Sequence, residues 1–324
     1  MYCRVTYPEP RYRGVCLAYV PTLRHKYLDT IVHTAVSTAH LLIQSQDGAL
    51  YCNAANAVFT IWPRLRGMPT ALNVDGLERN RKKWNRLAKL WYLISERLAT
   101  WLPSEVITDA LAIQEYYEQR YGKTSTFIPY GADLGPVTTT EVLQQLALEP
   151  GRYFLYVSRM EPENNALLVR QAFEETGIPL KLALIGDAPY ADEYIRQVRD
   201  TNNPDVVMPG AIYGEGYHEL QSNSFAYIHA TEVGGTHPAL IEAMGRGAVV
   251  LYLDTPENLE VAGDAGLPFV PETLAALLGR VFAMTAEERR AYSERARARV
   301  AERYSWAAVT DRYEALLSRL ACHH

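Results

Sequence analysis

The chain has 324 residues, a formal net charge of −5 and 48% hydrophobic against 21% charged residues. That composition excludes a disordered chain and is enough for two domains with well-buried cores. The acidic balance excludes a global attraction to nucleic acid, so any basic partner surface has to be local.

Cys3, Cys16, Cys52 and Cys322 are scattered without metal-ligand or disulfide-framework spacing and read as cytosolic thiols. No run reaches the roughly eighteen apolar residues of a transmembrane helix, and Met1 opens no signal-peptide pattern. The expected location is the cytoplasm, with peripheral contact at the inner face of a membrane left open.

The first half alternates strand-like and helical stretches. MYCRVTY, VCLAYVP, ALYCNA, TALNVD, EVITDA and STFIPY read as strands. Between the second and third, Ile31, Val32, Ala35, Val36, Ala39, Leu42 and Ile43 recur at helical spacing, with His33 and His40 seven apart on one face. Strands separated by helices predict a parallel, doubly wound sheet. The chain opens at what reads as the second strand of such a sheet, because MYCRVTYPEP has nothing before it to pair with. Either the gene start is misassigned, the chain is naturally truncated, or the sheet is rebuilt without its middle strand.

NVDGLERNRKKW follows a strand end, where ligands bind in open parallel sheets, so Asn73, Asp75 and Glu78 are cleft candidates. Asp75 could equally cap the next helix. Asn53 and Asn56 end another strand with the same ambiguity. In residues 79–98, Trp84, Leu87, Trp91, Ile94 and Leu98 share a helical face, while Arg79, Arg81, Lys82, Lys83, Arg86 and Lys89 crowd the first half. Two readings compete: a helix packed on its own sheet, or an amphipathic surface for an anionic membrane.

IPYGAD precedes a boundary near Gly135. Beyond it, YFLYVS, LKLALIG, DVVMPGA, SFAYIHA, AVVLYL and LPFV alternate with helices and predict a second parallel sheet. After the first of these strands, SRMEPENN offers Arg159 as an anion ligand; a surface ion pair with Glu161 or Glu163 is the alternative. IGDAPY and PGAIYGEGY follow two further strands. TEVGGTHPALIEAMGRG, Thr231 to Gly247, reads as glycine loop and helix, with Pro238 suited to a first helical position and Gly245 or Gly247 to the stop. The amides of Gly234, Gly235, Thr236 and His237 then sit at a helix N-terminus, which favours an anion such as a diphosphate. Glu232 and Glu242 flank it and suit hydroxyl recognition; Glu242 could instead be merely solvated. Thr285 with Glu288 forms a capping box. Ser305 caps a last helix whose Trp306, Val309, Tyr313, Leu316 and Leu320 form one apolar stripe.

Taken together, these segments resemble the family 4 retaining glycosyltransferases, and VGGTHP with NVDGLE resembles their rhamnosyltransferase-like branch. The resemblance implies an α/β chain of two Rossmann-like domains facing across a cleft, the B-type glycosyltransferase fold, with the first domain N-terminally truncated by about forty to fifty residues, the size of one βαβ element. Residues 1–134 would form the acceptor-side domain, 135–304 the nucleotide-sugar domain, and 305–324 a helix crossing back to the first. The family's paired glutamates stand seven residues apart; Glu242 matches the second, Gly234 holds the other position, and Glu232 is the nearest carboxylate. In its R-x-x-PEK segment Arg159 matches the arginine and Asn164 replaces the lysine. Arg79 stands where the NVDGLEW motif has tryptophan.

By the same resemblance the donor is a nucleotide diphosphate sugar, and a hexosyl group, rhamnosyl by branch, passes with retention to a carbohydrate or lipid-linked acceptor in surface-polysaccharide synthesis. Glu232, Arg159 and Asp75 are the catalytic candidates. Asn164, Asn165, Gly186, Asp187, Ile212, Tyr213, Gly234, Gly235, Thr236, His237 and Glu242 would bind the donor. No cofactor or metal is expected if loop amides and Arg159 stabilise the departing diphosphate. Nucleic acid is not an expected partner, and peripheral contact with an anionic membrane through 79–98 is left open. The competing expectation is a truncated, non-catalytic nucleotide-sugar-binding chain or partner-dependent subunit.

Overall fold

A computed structural model describes residues 1–322 apart from Arg24, Lys26, Tyr27 and Tyr190; Tyr190 of IGDAPY and the terminal His323 and His324 lie outside the described residues. The first half opens with β1 (Tyr2–Cys3), a short hairpin of β2 (Arg11–Tyr12) and β3 (Val15–Cys16), and β4 (Ala18–Tyr19). Helix α1 (Asp29–Leu41) leads to β5 (Ala49–Cys52), α2 (Ile61–Leu65), β6 (Thr70–Asn73), α3 (Arg86–Ala99), β7 (Glu105–Thr108), α4 (Leu111–Tyr121) and β8 (Thr126–Phe127). Strands β5-β6-β7-β8 form one parallel sheet in chain order, and β1 pairs in parallel with β4. Among the described residues the two sheets do not join. Between them lies a cavity of about 640 Å³ lined by β1, β4, α1 and β5.

That cavity reverses the expected orientation of α1. The helix buries His33, Thr34, Ser37, Thr38 and Leu41, while Val36 and Ile43 of the apolar stripe are exposed. His33 and His40 both line the cavity, and Tyr2 shares a 3.0 Å hydrogen bond with His40 Nδ1. Helix α3 departs from expectation in the same way. Its buried residues are Ser95, Glu96 and Ala99, whereas Leu87 and Ile94 are exposed. A short face of small residues packs closely on the 3₁₀ turn Ala54–Thr60, and Glu96 is accommodated there because Arg79 pairs with it at 2.8 Å.

The second half continues with α5 (Glu141–Gln145), β9 (Tyr153–Val157), α6 (Ala166–Thr176), β10 (Lys181–Ile185), α7 (Asp192–Arg199), β11 (Val206–Gly210) and α8 (Glu215–Asn223). Then follow β12 (Ala226–His229), α9 (Pro238–Arg246), β13 (Val250–Leu253), α10 (Pro256–Ala262), β14 (Leu267–Phe269), α11 (Leu274–Phe282), α12 (Ala286–Arg303) and α13 (Trp306–Cys322). All six strands are parallel in the order β11-β10-β9-β12-β13-β14. This doubly wound order places its switch between β9 and β12, where an open sheet leaves a crevice at the strand ends. The sheet is buried on both faces, which is why its strands read as continuous apolar runs.

Helix α13 crosses back to the first sheet. Its Val309 and Leu316 pack on Ala71, Ile107 and Ile128, and Asn73 Nδ2 donates to the Tyr313 hydroxyl at 3.2 Å. Gly131 makes that crossing possible, because a Cβ there would lie 2.8 Å from the Trp306 ring.

Gly186, after β10, shows a second close approach: its φ is +150°, and a Cβ would fall 1.8 Å from the Ser158 carbonyl oxygen. Gly186→Ala should destabilise the chain by about 2 kcal/mol or more, through backbone strain and a clash that no side-chain rotation relieves. Urea unfolding measures this, and an unchanged midpoint would contradict it.

Candidate functional site at the cleft between the two sheets

The crevice at the β9/β12 switch is formed by the loops after those strands and is faced by the loops after β6 and β7. Helix α9 starts at Pro238 and stops at Gly247, whose left-handed φ of +86° closes it. Gly234, Gly235 and Thr236 are buried. They are covered by the first half of the chain: a Cβ on Gly76 would lie 2.4 Å from the Gly234 carbonyl carbon, and one on Gly235 would lie 2.1 Å from Asp109 Oδ1. The Gly76 and Gly234 backbones therefore meet across the cleft, where a side chain on Gly76 would hold it open.

Asp109 carries no sequence signal beyond its place after a strand, yet its side chain is fully buried against the glycine loop. Burial, reinforced by the neighbouring Asp75, holds its carboxyl well above the usual range. Asp75 is raised for the same first reason, burial, with Glu78 adding repulsion. It adopts a left-handed φ of +58°, and its amide donates to Asn73 Oδ1 at 3.0 Å. It caps no helix: α3 is capped by Asn85, which accepts from Ala88 N–H. Asn53 does cap, accepting from Ala55 N–H, and Asn56 donates to the Cys52 carbonyl.

The 79–83 segment closes the cleft with ions. Arg81 Nε donates to Glu78 at 2.6 Å, and its Nη1 lies 3.8 Å from both Glu161 and Glu163 of the opposite half. Lys83 pairs with Glu161 at 3.0 Å, and the more exposed Lys82 with Glu232 at 2.8 Å. Glu161 and Glu163 are thus engaged by the first half, and neither pairs with Arg159 among the described residues. Arg159 is exposed at the cleft, near enough with Arg81 to depress the titration of His237. Burial is the larger cause, and together they push His237 down to about 3, a neutral imidazole at physiological pH.

Asn164 is buried and donates to the Arg159 carbonyl at 2.6 Å, holding the loop rather than replacing a cation. Asn165, at φ +61°, donates to the Ala230 carbonyl and to Glu232, tying the two loops of the crevice together. Asp187 accepts from Ala188 N–H, Ile212 packs beside Gly216, and Tyr213 is 85% exposed at the rim. Glu242 is not merely solvated: Tyr217 donates to it at 2.7 Å, Gln221 donates to that same hydroxyl, and burial raises its carboxyl. A second carboxylate, Glu260 on α10, accepts from Leu111 and Ala112 N–H and caps α4 across the cleft.

With this geometry in view, comparison with known proteins is informative. The chain has the fold of the two-domain glycosyltransferases. Anabaena HepE bound to UDP and glucose superposes with a TM-score of 0.77 at 16% identity, over 94% of this chain and 86% of that one. Sucrose-phosphate synthase from Thermosynechococcus elongatus gives 0.76 at 20% identity, over 99% and 86%. Residues 139–299 match the family model of the glycosyl transferases group 1, and residues 40–133 match a domain of unknown function, DUF1972. The O-antigen chain mannosyltransferase B of Escherichia coli is 27% identical over 192 residues, 56% of this chain and 49% of that protein. The lipopolysaccharide 1,2-N-acetylglucosaminetransferase of Salmonella typhimurium is 26% identical over 265 residues, 74% and 69%. The chain therefore spans about half the length of the first relative and about two thirds of the second.

Two outcomes follow from the charges. Arg81→Ala leaves the buried Glu78 and Glu163 without a cation, and Glu161 with Lys83 alone, and should cost about 3–5 kcal/mol, whereas Lys82→Ala, at an exposed pair, should cost less than about 1 kcal/mol. Equal losses in denaturant unfolding would contradict the assignment of Arg81. Because His237 is held neutral, its stability contribution is full above about 6.5 and is lost as pH falls towards about 3, at roughly 1 kcal/mol per pH unit. His237→Gln should flatten that slope, and an unchanged acid profile would contradict it.

Proposed function

We propose that the chain transfers a hexosyl group from a nucleotide diphosphate sugar to a carbohydrate or lipid-linked acceptor in surface-polysaccharide synthesis. The observation that carries this reading is the convergence on one cleft of Arg159, the glycine loop at the start of α9 and the half-buried Glu242, in a chain whose residues 139–299 match a family of glycosyl transferases. The names of the two bacterial relatives, which act on O-antigen and lipopolysaccharide, support the polymer class. The VGGTHP and NVDGLE segments support rhamnosyl as the transferred group.

In this reading the diphosphate lies between Arg159 and the amides of residues 234–237. As the glycosidic bond to the leaving phosphate breaks, negative charge grows on that phosphate. A guanidinium and preorganised N–H groups stabilise it there without proton transfer. Neutral His237 can donate one hydrogen bond without adding charge. Glu242, fixed by Tyr217, accepts from the ribose hydroxyls. Glu232 and Asp75 face the sugar, and the anomeric configuration is retained. Asn164, Asn165, Gly186, Asp187, Ile212 and Tyr213 shape the nucleotide side of the site. The bound donor has to displace the Gly76 and Asp109 contacts, so the cleft opens before it binds.

Glu242→Gln should weaken binding of UDP, GDP or dTDP, whichever binds the wild type, by roughly ten- to 150-fold with an unchanged Tm. Calorimetry measures it. Unchanged affinity would remove Glu242 from the site.

A further inference from the structure

On its outer face α3 carries an apolar stripe that the transfer reaction does not use. Leu87, Leu90 and Ile94 lie on one side of the helix, and Leu87 is 77% exposed. The stripe runs on to Trp101, 60% exposed, and then to α2, where Trp62 is exposed and Leu65 is 72% exposed. Arg64 joins the two helices by donating to the Trp101 and Leu102 carbonyls, and the Arg97 guanidinium lies 4.5 Å from the centre of the Trp101 ring. These contacts make one surface of two helices.

Its charge selects the partner. Arg64, Arg86, Lys89 and Arg97 are exposed around the stripe, while the one carboxylate on α2 and α3, Glu96, is buried and paired with Arg79. Cations alone therefore face solvent from these two helices, in a chain whose net charge is −5. Arg81, Lys82 and Lys83, which add to the basic run in sequence, belong to the cleft and not to this face. An apolar stripe bordered by guanidinium and ammonium groups matches the acyl chains and anionic headgroups of a bilayer. A protein partner would have to supply acidic groups all round an apolar strip, and nothing in the two helices offers it a paired carboxylate.

We propose that α2 and α3 dock on an anionic lipid bilayer through Trp62, Leu65, Leu87, Leu90, Ile94 and Trp101, with the flanking cations on the headgroups. Because α3 begins beside Lys83 at the cleft, docking brings the acceptor side of the cleft to the lipid surface. That suits a lipid-linked acceptor, but the surface stands whether or not the transfer reading holds.

The test is co-sedimentation of the full chain with vesicles of phosphatidylcholine containing phosphatidylglycerol, and with phosphatidylcholine alone. Binding is expected only to the anionic vesicles, and raising the salt should release it. Leu87→Ser/Leu90→Ser/Ile94→Ser, all at exposed positions, should weaken it at least about tenfold with Tm unchanged. Arg86→Gln/Lys89→Gln should weaken it by roughly twenty- to thirtyfold, about fivefold per charge. No binding of the folded wild type to anionic vesicles would overturn the proposal, as would binding by both variants as tight as the wild type's. A triple variant that dissolves a dimer while leaving vesicle binding intact would reassign the face to self-association.

Discussion

The constraint on which the rest of the structure depends is the backbone contact of Gly76 with Gly234. It is possible only because Gly76 has no side chain, and it sets the distance between the two sheets at their functional ends. Arg81 and Glu260 then find partners across the cleft that would be out of reach if the halves stood further apart, and Asp109 is packed against the glycine loop. The closure is also strained electrostatically. Two carboxyl groups, Asp75 and Asp109, are pressed together in a poorly solvated place and hold their protons above the usual range.

Around that contact the halves are joined by interactions of different character. Helix α13 contributes an apolar strap, packing Val309 and Leu316 on the first sheet and anchoring Tyr313 on Asn73. Arg81 contributes a buried ion cluster, which specifies one arrangement more than it stabilises it, since removing any member leaves charge uncompensated. Capping of α4 by Glu260 ties a helix of one half to a carboxylate of the other. The strap can stay in place while the ion pairs and caps break.

What could be read from the sequence depended on whether a residue's role was local. The six strands of the second sheet were legible because burial on both faces leaves apolar runs, and the α9 start was legible because Pro238 and the glycines have one local use. The orientations of α1 and α3 were not. Helical periodicity identifies an apolar face but not what lies opposite it; in α1 the cavity takes the polar face, and in α3 the outer stripe stays exposed. Arg81 and Asp109 were missed as site residues because their importance comes from partners about eighty to 130 positions away, and such pairing leaves no mark on spacing. Asn164 read as a substitute ligand, whereas its buried amide group holds the loop that carries Arg159.

The most direct test of the central claim, that this cleft binds a nucleotide diphosphate sugar and stabilises the departing diphosphate, is release of nucleotide diphosphate. It should be followed across UDP-, GDP- and dTDP-linked hexoses, with saccharide and lipid-linked acceptors present, for the wild type and Arg159→Gln. The account predicts release from at least one donor, slowed by roughly a hundred- to a thousandfold in the variant, as expected for losing a group that acts on growing charge. Release that proceeds equally in Arg159→Gln, or no release from any donor by the folded wild type, would contradict it.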